Sequence, residues 1–313
     1  MLRLNNILFP TDFSPCAEEA FEHAIHLAND TGATVHVLTV VGEEADDRPM
    51  EYLPLEAAAD GSGLYYEPDD EAHEEPVRIV YHQIQDTSPA EAIVGRVDES
   101  DIDLVVMGTH GRRGADRLLS GSVAEEVVRR ASCPVFTVLC QAATDASSDS
   151  HLEGAAPIRN IVVPVDLSEH TPAVISHARA VAALYNATIH LLHVVEDVAY
   201  PTVYGIDPLT PVLPDVMERA EESLQRYAQQ IRTQTGITVK THVVTGYAAE
   251  DIVHTAKELK ADLILMGTHG RTGLRRFLIG SVAEKVVRRT PCPVFIVKNF
   301  GSSVVDDPET EMA

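Results

Sequence analysis

This 313-residue chain predicts an α/β fold of two tandem doubly wound domains, each a parallel sheet flanked by helices. Three observations carry that prediction. The first is an internal repeat: residues 107–138 align with 266–297 at an offset of 159, identical at 23 of 32 positions, and ILFPTDFS (7–14) aligns with IVVPVDLS (161–168) at an offset of 154. A period near 155 residues is too long for a solenoid unit and marks a duplicated domain. The second is length, about twice that of a usual single domain. The third is the alternation of short apolar runs with helical periodicity, the pattern of a parallel sheet with helices on its faces.

The elements of the first copy follow in order. Ile7–Pro10 is a short apolar strand, and Ser14-Pro15 reads as a helix N-cap with proline in the first turn. Ala17, Ala20, Phe21, Ala24, Ile25 and Ala28 recur at helical spacing up to Gly32, where that helix ends. Val35–Val41 and Val77–Ile84 are the next strands, and Ser88-Pro89-Ala90-Glu91 reads as a capping box opening a helix toward Ser100. Leu104–Met107 and Pro134–Leu139 are continuous apolar runs, as strands buried on both faces require. The second copy repeats this plan and adds an amphipathic helix over Val216–Gln230. At that place the first copy differs: residues 42–76 hold thirteen acids, one arginine and Gly61-Ser62-Gly63, a composition that predicts a solvated loop. These limits give domains over 1–142 and 157–300, a small, polar linker at 143–156 and a tail at 301–313.

Charge narrows the range of partners. The chain has 48 acidic and 24 basic residues, a net of −24. Residues 1–150 hold 29 acids and 9 bases (−20), and residues 151–313 hold 19 and 15 (−4). So acidic a surface excludes nucleic acid and anionic membrane as expected partners, because phosphate backbones need cationic contacts. No apolar run reaches the length of a membrane span, and no signal peptide is expected at MLRLNNILFP. The four cysteines (Cys16, Cys133, Cys140, Cys292) form no CxxC pair, so reduced thiols and a cytoplasmic location are the expectation.

The chemistry gathers at a glycine loop present twice. Gly108, Gly111 and Gly121-Ser122 in the first copy match Gly267, Gly270 and Gly280-Ser281 in the second, with the spacing Gly-x-x-Gly, nine residues, Gly-Ser. The first glycine of each directly follows the fourth strand. Ser122 and Ser281 each begin Ser-Val-Ala-Glu, which reads as a capping box, so a helix starts there. Glycines allow close backbone approach, and a helix N-terminus offers unpaired N–H groups to phosphate oxygens.

This loop, with the Pro-x-Asp after the first strand and the Cys-Pro-Val-Phe-x-Val last strand, resembles the universal stress proteins, specifically their ATP-binding branch in tandem form. The resemblance spans roughly residues 4–139 and 158–298. It implies five parallel strands in the order 3-2-1-4-5 in each domain, and ATP, with or without Mg2+, at the carboxyl ends of strands one and four. The switch-point rule for open α/β sheets puts a ligand at the same place. Carried over by motif, Pro10, Thr11 and Asp12, and Pro164, Val165 and Asp166, shape the exit of strand one, with the aspartates toward adenine and ribose. Val40 and Val194 wall the base, and Met107-Gly108 and Met266-Gly267 contact the nucleoside through their backbone. Gly111, Gly121, Ser122 and Val123, and Gly270, Gly280, Ser281 and Val282, hold the phosphates, with Arg112 and Arg271 as cationic candidates. At one position the copies differ, Thr87 against Gly246, where the family often has glycine.

Simpler readings stand beside these. Asp12 and Asp166 also suit helix capping. His110 and His269 sit in the loop without a visible carboxylate to orient them, so no catalytic residue is assigned. His23 and His26 lack a third ligand for a metal. Walker A and SGGxDS loops are absent from the sequence. Three functions remain open: a nucleotide-dependent stress-response regulator, a slow ATP hydrolase, and an interaction module with structural sites. The last strands, around Val135-Phe136 and Val294-Phe295, are apolar sheet edges, so the two halves are expected to pair through them, with a homodimer beyond that.

Overall fold

The structure, a computed structural model, describes residues 2–42, 56–57, 64–66, 76–109, 122–139, 157–196, 213–268, 280–298 and 303–305. The first half runs β1 (Asn6–Pro10), α1 (Pro15–Thr31), β2 (Thr34–Val41), β3 (Glu56–Ala57), β4 (Leu64–Tyr66), β5 (Val77–Gln85), α2 (Pro89–Glu99), β6 (Leu104–Gly108), α3 (Ser122–Arg130) and β7 (Val135–Val138). The second runs β8 (Asn160–Pro164), α4 (Thr171–Tyr185), β9 (Thr188–Glu196), α5 (Leu213–Thr235), β10 (Val239–Gly246), α6 (Ala248–Glu258), β11 (Leu263–Gly267), α7 (Ser281–Arg289) and β12 (Val294–Val297).

Each half has the expected strand order. In the second it is β10-β9-β8-β11-β12 and in the first β5-β2-β1-β6-β7, both 3-2-1-4-5 and parallel. Burial explains the uninterrupted apolar runs. Leu104–Met107, Val135–Val138 and Leu263–Met266 are covered on both faces, and alternate residues enter two cores. Ile7, Phe9, Val35, Val37 and Phe136 pack on the side of α1, α4 and α5; Leu8, Leu38, Val105 and Val135 pack on the side of α2, α3, α6 and α7. The switch point therefore falls between β1 and β6, and between β8 and β11.

The two halves join edge to edge. β12 pairs antiparallel with β7, Phe295 opposite Phe136, so the halves share one sheet. The two phenyl rings sit 6.0 Å apart, and Thr137 Oγ1 donates to the Val294 carbonyl at 3.3 Å. Arg288 of α7 reaches Glu125 of α3 at 3.2 Å across the seam, an exposed pair of little energetic weight. Beneath it Lys298 is buried and donates to the Val128 carbonyl in the last turn of α3; burial lowers its ammonium to about 8.

Duplication extends to backbone detail. Phe13 and Leu167 (φ 56° and 59°), Asp101 and Lys260 (φ 45° and 49°), and the α-helix C-caps Gly32 and Asn186 (φ 73° and 49°) adopt left-handed conformations at matching positions. Asp103 Oδ2 accepts the amides of Asn5 and Asn6 at 2.7 and 3.0 Å, and Asp262 Oδ2 accepts those of Arg159 and Asn160, both at 2.8 Å. Each carboxylate ties the start of strand one to the start of strand four.

Three expectations are corrected. The 42–76 stretch is not wholly a loop: β3 and β4 form an antiparallel pair that continues from β5, with Leu64 opposite Ile79 and Tyr66 opposite Val77. Leu64-Tyr65-Tyr66 are good strand formers on an otherwise open edge, and that local preference outweighs the surrounding acids. Gly61-Ser62-Gly63 lies outside the described residues. Second, the capping box at Ser88 does not form. Ser88 is the N-cap of α2, but its side chain makes no cap bond, and its own amide is held by Asp86 Oδ1 at 2.8 Å. Third, Ser281 is the first residue of α7 rather than its cap. Gly280 is the N-cap, at φ −64° and ψ 144°, with no side-chain cap bond. The Ser14-Pro15 start of α1 is as expected, with Ser14 Oγ accepting from Ala17 N at 3.3 Å.

Candidate functional site

The candidate site lies at the carboxyl end of the sheet in each half, where strand one, strand four and the helix after strand four come together. In the second half β8 ends at Pro164, and the chain turns through Val165, Asp166 and the left-handed Leu167 into α4. Asp166 Oδ1 accepts from Ser168 N at 3.1 Å and from Thr171 Oγ1 at 3.4 Å, while Val165 is buried and its carbonyl accepts from His193 Nδ1 at 2.7 Å. In the first half Asp12 Oδ1 accepts from Ser14 N at 3.1 Å, and Thr11 Oγ1 accepts from Phe13 N at 3.0 Å. Both aspartates thus hold the turn by accepting the amide two residues on, and neither caps the helix: the N-caps of α1 and α4 are Ser14 and His170. A non-glycine left-handed residue after each is a strained backbone retained twice, as happens at ligand-facing turns.

Strand four leads directly to the helix start. The carbonyl of Thr268, just past β11, accepts from Gly280 N at 2.7 Å, so the exit of strand four and the N-terminus of α7 are joined. Because Gly280 has no side chain and Ser281 lies inside the helix, no N-cap side chain among the described residues accepts from the first-turn amides of α7. That is the condition for an anion to bind there. In the first half α3 begins at the matching Ser122. Met107 and Met266 send their side chains into the core, which leaves only their backbone toward the site. Gly111, Arg112, Gly121, Gly270 and Arg271 lie outside the described residues, as do His110 and His269.

Next to each helix start is an apolar floor left half covered. Val40, Ile84 and Val123 in the first half, and Val194, Val244 and Val282 in the second, pack against the core but remain partly exposed. Val194 and Val244 are register partners on neighbouring strands, as are Val40 and Ile84. Four of these six residues were expected from the sequence. Ile84 and Val244 were not, because an apolar residue ending a strand looks like core until the sheet shows what fails to cover it.

Below each floor is a paired-histidine layer. Arg96 Nη2 donates to His82 Nδ1 at 3.2 Å, so His82 Nε2 donates to His36 Nδ1 (3.0 Å) and His36 Nε2 donates to Asn6 Oδ1 (3.1 Å). His190, His242 and Asn160 repeat the arrangement at 3.1 and 3.4 Å. Burial, then the neighbouring histidine, depresses His36; burial, then Arg96, depresses His82; and burial brings His190 down to about 4. These rings are neutral hydrogen-bonding spacers in the layer under the floor. Among the described residues no group of three or more His, Cys, Asp or Glu side chains is placed to hold a metal ion.

The difference between Thr87 and Gly246 also has a local cause. Gly246 has φ 152°, and a Cβ there would overlap the carboxylate of Asp251, whose Oδ2 accepts the amide of Tyr247 at 2.6 Å. In the first half Asp86 anchors the equivalent Ser88 amide from the other side, so Thr87 is accommodated.

The model of the universal stress protein family matches the chain twice, over residues 3–138 and 157–298. The chain belongs to the universal stress protein family. Universal stress protein MJ0531 of Methanocaldococcus jannaschii is 34% identical over 143 residues, 45% of this chain and 82% of that protein. Universal stress protein A homolog 1 of Coxiella burnetii is 32% identical over 144 residues, 44% of this chain and 95% of its own length. Across both halves, the crystal structure of a universal stress protein from Archaeoglobus fulgidus superposes with a TM-score of 0.58 at 20% identity, covering 95% of this chain and 97% of that one; this likeness shows the fold. Among the described residues of this universal stress protein, no helix is long and apolar enough to cross a membrane.

Proposed function

We propose that each half binds one adenine nucleotide, ATP with or without Mg2+, and that the protein is a stress-response regulator whose shape or partner choice follows the bound nucleotide. The observation that carries this reading is the junction of Thr268 and Gly280, which sets an uncapped helix start beside the exit of strand one and above a half-covered apolar floor. Such a place suits a ligand with one flat apolar end and one anionic end. The base lies on Val194 and Val244 in the second half and on Val40 and Ile84 in the first, and the phosphates meet the amides of α7 and α3. Asp166 and Asp12 face the ribose. Mg2+, where it accompanies ATP, is carried by the phosphates.

Regulation rather than turnover is the reading the sequence favours, since it lacks Walker A and SGGxDS loops. The burial of Cys133 and Cys292 without a disulfide supports a reducing, cytoplasmic setting, and a homodimer of the joined halves is part of the proposal. The test is to purify the protein, identify nucleotide released on denaturation, and follow phosphate release from added ATP. Retained ATP with no steady phosphate release is expected. Steady release would replace the regulator with a hydrolase, and absence of affinity for any nucleotide would overturn the binding reading.

A further inference from the structure

Tyr247 stands out on this surface. It is 71% exposed, one of two large apolar or aromatic side chains exposed among the described residues. Its place is the N-cap of α6, directly after β10 ends, at the same end of the sheet as the candidate site of the second half. The backbone is fixed there: Asp251 Oδ2 accepts the Tyr247 amide, and the extended, positive-φ Gly246 makes room for that carboxylate. Gly246 follows Val244 on the same strand face, two residues on. Past the floor of Val194 and Val244 the strand thus has a position with no side chain, and the next residue along the chain, Tyr247, carries an aromatic ring at the same end of the sheet. In the first half the corresponding residue is Ser88, so the ring belongs to one site only.

We propose that Tyr247 is a specificity-determining residue of the second site, where its ring stacks on the nucleobase lying over Val194 and Val244. The proposal rests on the nucleotide reading given above. Aromatic stacking favours the larger π-face of a purine over a pyrimidine and makes the second site the tighter of the two. The first site, with a serine at this position, holds its base on aliphatic side chains alone. The structure thus assigns the two halves unequal roles, a nucleotide-retaining second site and a first site that exchanges more readily.

The chain contains no tryptophan, so a Tyr247→Trp variant carries a single reporter at this position. Combined with Gly121→Val, intended to leave only the second site working, the full-length protein is titrated with ATP and with CTP while emission and heat are recorded together. The expected result is saturable quenching by ATP at one equivalent per chain, with CTP weaker. Tyr247→Ala in the same background is expected to bind ATP about tenfold more weakly, the loss typical of removing one aromatic–base stack. Its melting temperature should not change, since the side chain is exposed. Heat of ATP binding without any change in emission, or an alanine variant with unchanged affinity, overturns the stacking role while leaving the nucleotide reading in place. If the wild-type chain gives no heat with ATP, the nucleotide reading itself fails and this proposal with it.

Discussion

Gly108 and Gly280 look alike in the sequence and have different physical roles. A Cβ at Gly108 would lie 3.0 Å from the Cys16 carbonyl oxygen, so this glycine lets β6 and the first turn of α1 approach each other. Gly108→Ala should therefore destabilise the fold by about 1–3 kcal/mol, the usual range for overpacking, seen as a lower urea midpoint. An unchanged midpoint would show that the first turn of α1 yields without cost. Gly280, by contrast, has φ −64° and ψ 144°, which any residue adopts, so its reason lies in what approaches it. Spacing alone could not separate the two, because the packing partner of Gly108 is 92 residues away. Ser281 was misplaced for a related reason. Ser-Val-Ala-Glu satisfies the capping-box pattern, but Gly280, whose amide is bonded to the Thr268 carbonyl, is the cap.

At the scale of elements, most strands and helices were legible because apolar periodicity and burial coincide in a doubly wound sheet. The repeat then allowed each half to check the other. Legibility failed where the halves diverge, at β3 and β4, where a three-residue run of strand formers extends an open edge inside a stretch whose acids dominate its composition. It also failed for single residues acting at long range, such as Asp103 and Asp262. Each accepts two strand-one amides with its carboxylate, and nothing in the local pattern signals that role. Asp262→Ala should cost about 2 kcal/mol, since hydrogen bonds to a charged acceptor are worth more than neutral ones. Equilibrium denaturation measures it, and a loss well under 1 kcal/mol would show that water replaces the carboxylate at the strand start.

For the whole molecule the seam between the halves is the feature that a domain-by-domain reading leaves to be tested. Phe136 and Phe295 face each other across it, and the buried ring of His23 meets Phe136 edge-on at 5.1 Å. Burial, with His26 nearby, depresses His23 from 6.5 to about 4, so it is neutral in the folded state. The unfolded chain binds the extra proton first as pH falls. Stability from this group is thus intact above pH 6.5, declines from there to about 4, and is lost below, a total of about 3 kcal/mol. His23→Leu should flatten the pH dependence of the denaturation midpoint between 6.5 and 4; an unaltered slope would place the acid sensitivity elsewhere. Phe136→Lys with Phe295→Lys should open the seam, because the new charges would be buried without partners. Small-angle scattering should then show an extended two-lobed particle, and a compact, folded double variant would contradict the seam's importance.

The central claim, one nucleotide in each half held at the start of the helix after strand four, is tested most directly by calorimetric titration of ATP into wild type, Gly121→Val, Gly280→Val and the double variant. In the proposed site a valine at Gly280, the cap of α7, or at the matching Gly121 adds a branched side chain where the phosphates would approach, and the backbone at Gly280 accepts it. The account predicts two ATP per wild-type chain, one for each single variant and none for the double, with all four proteins folded. A folded double variant that binds ATP as wild type does would contradict it.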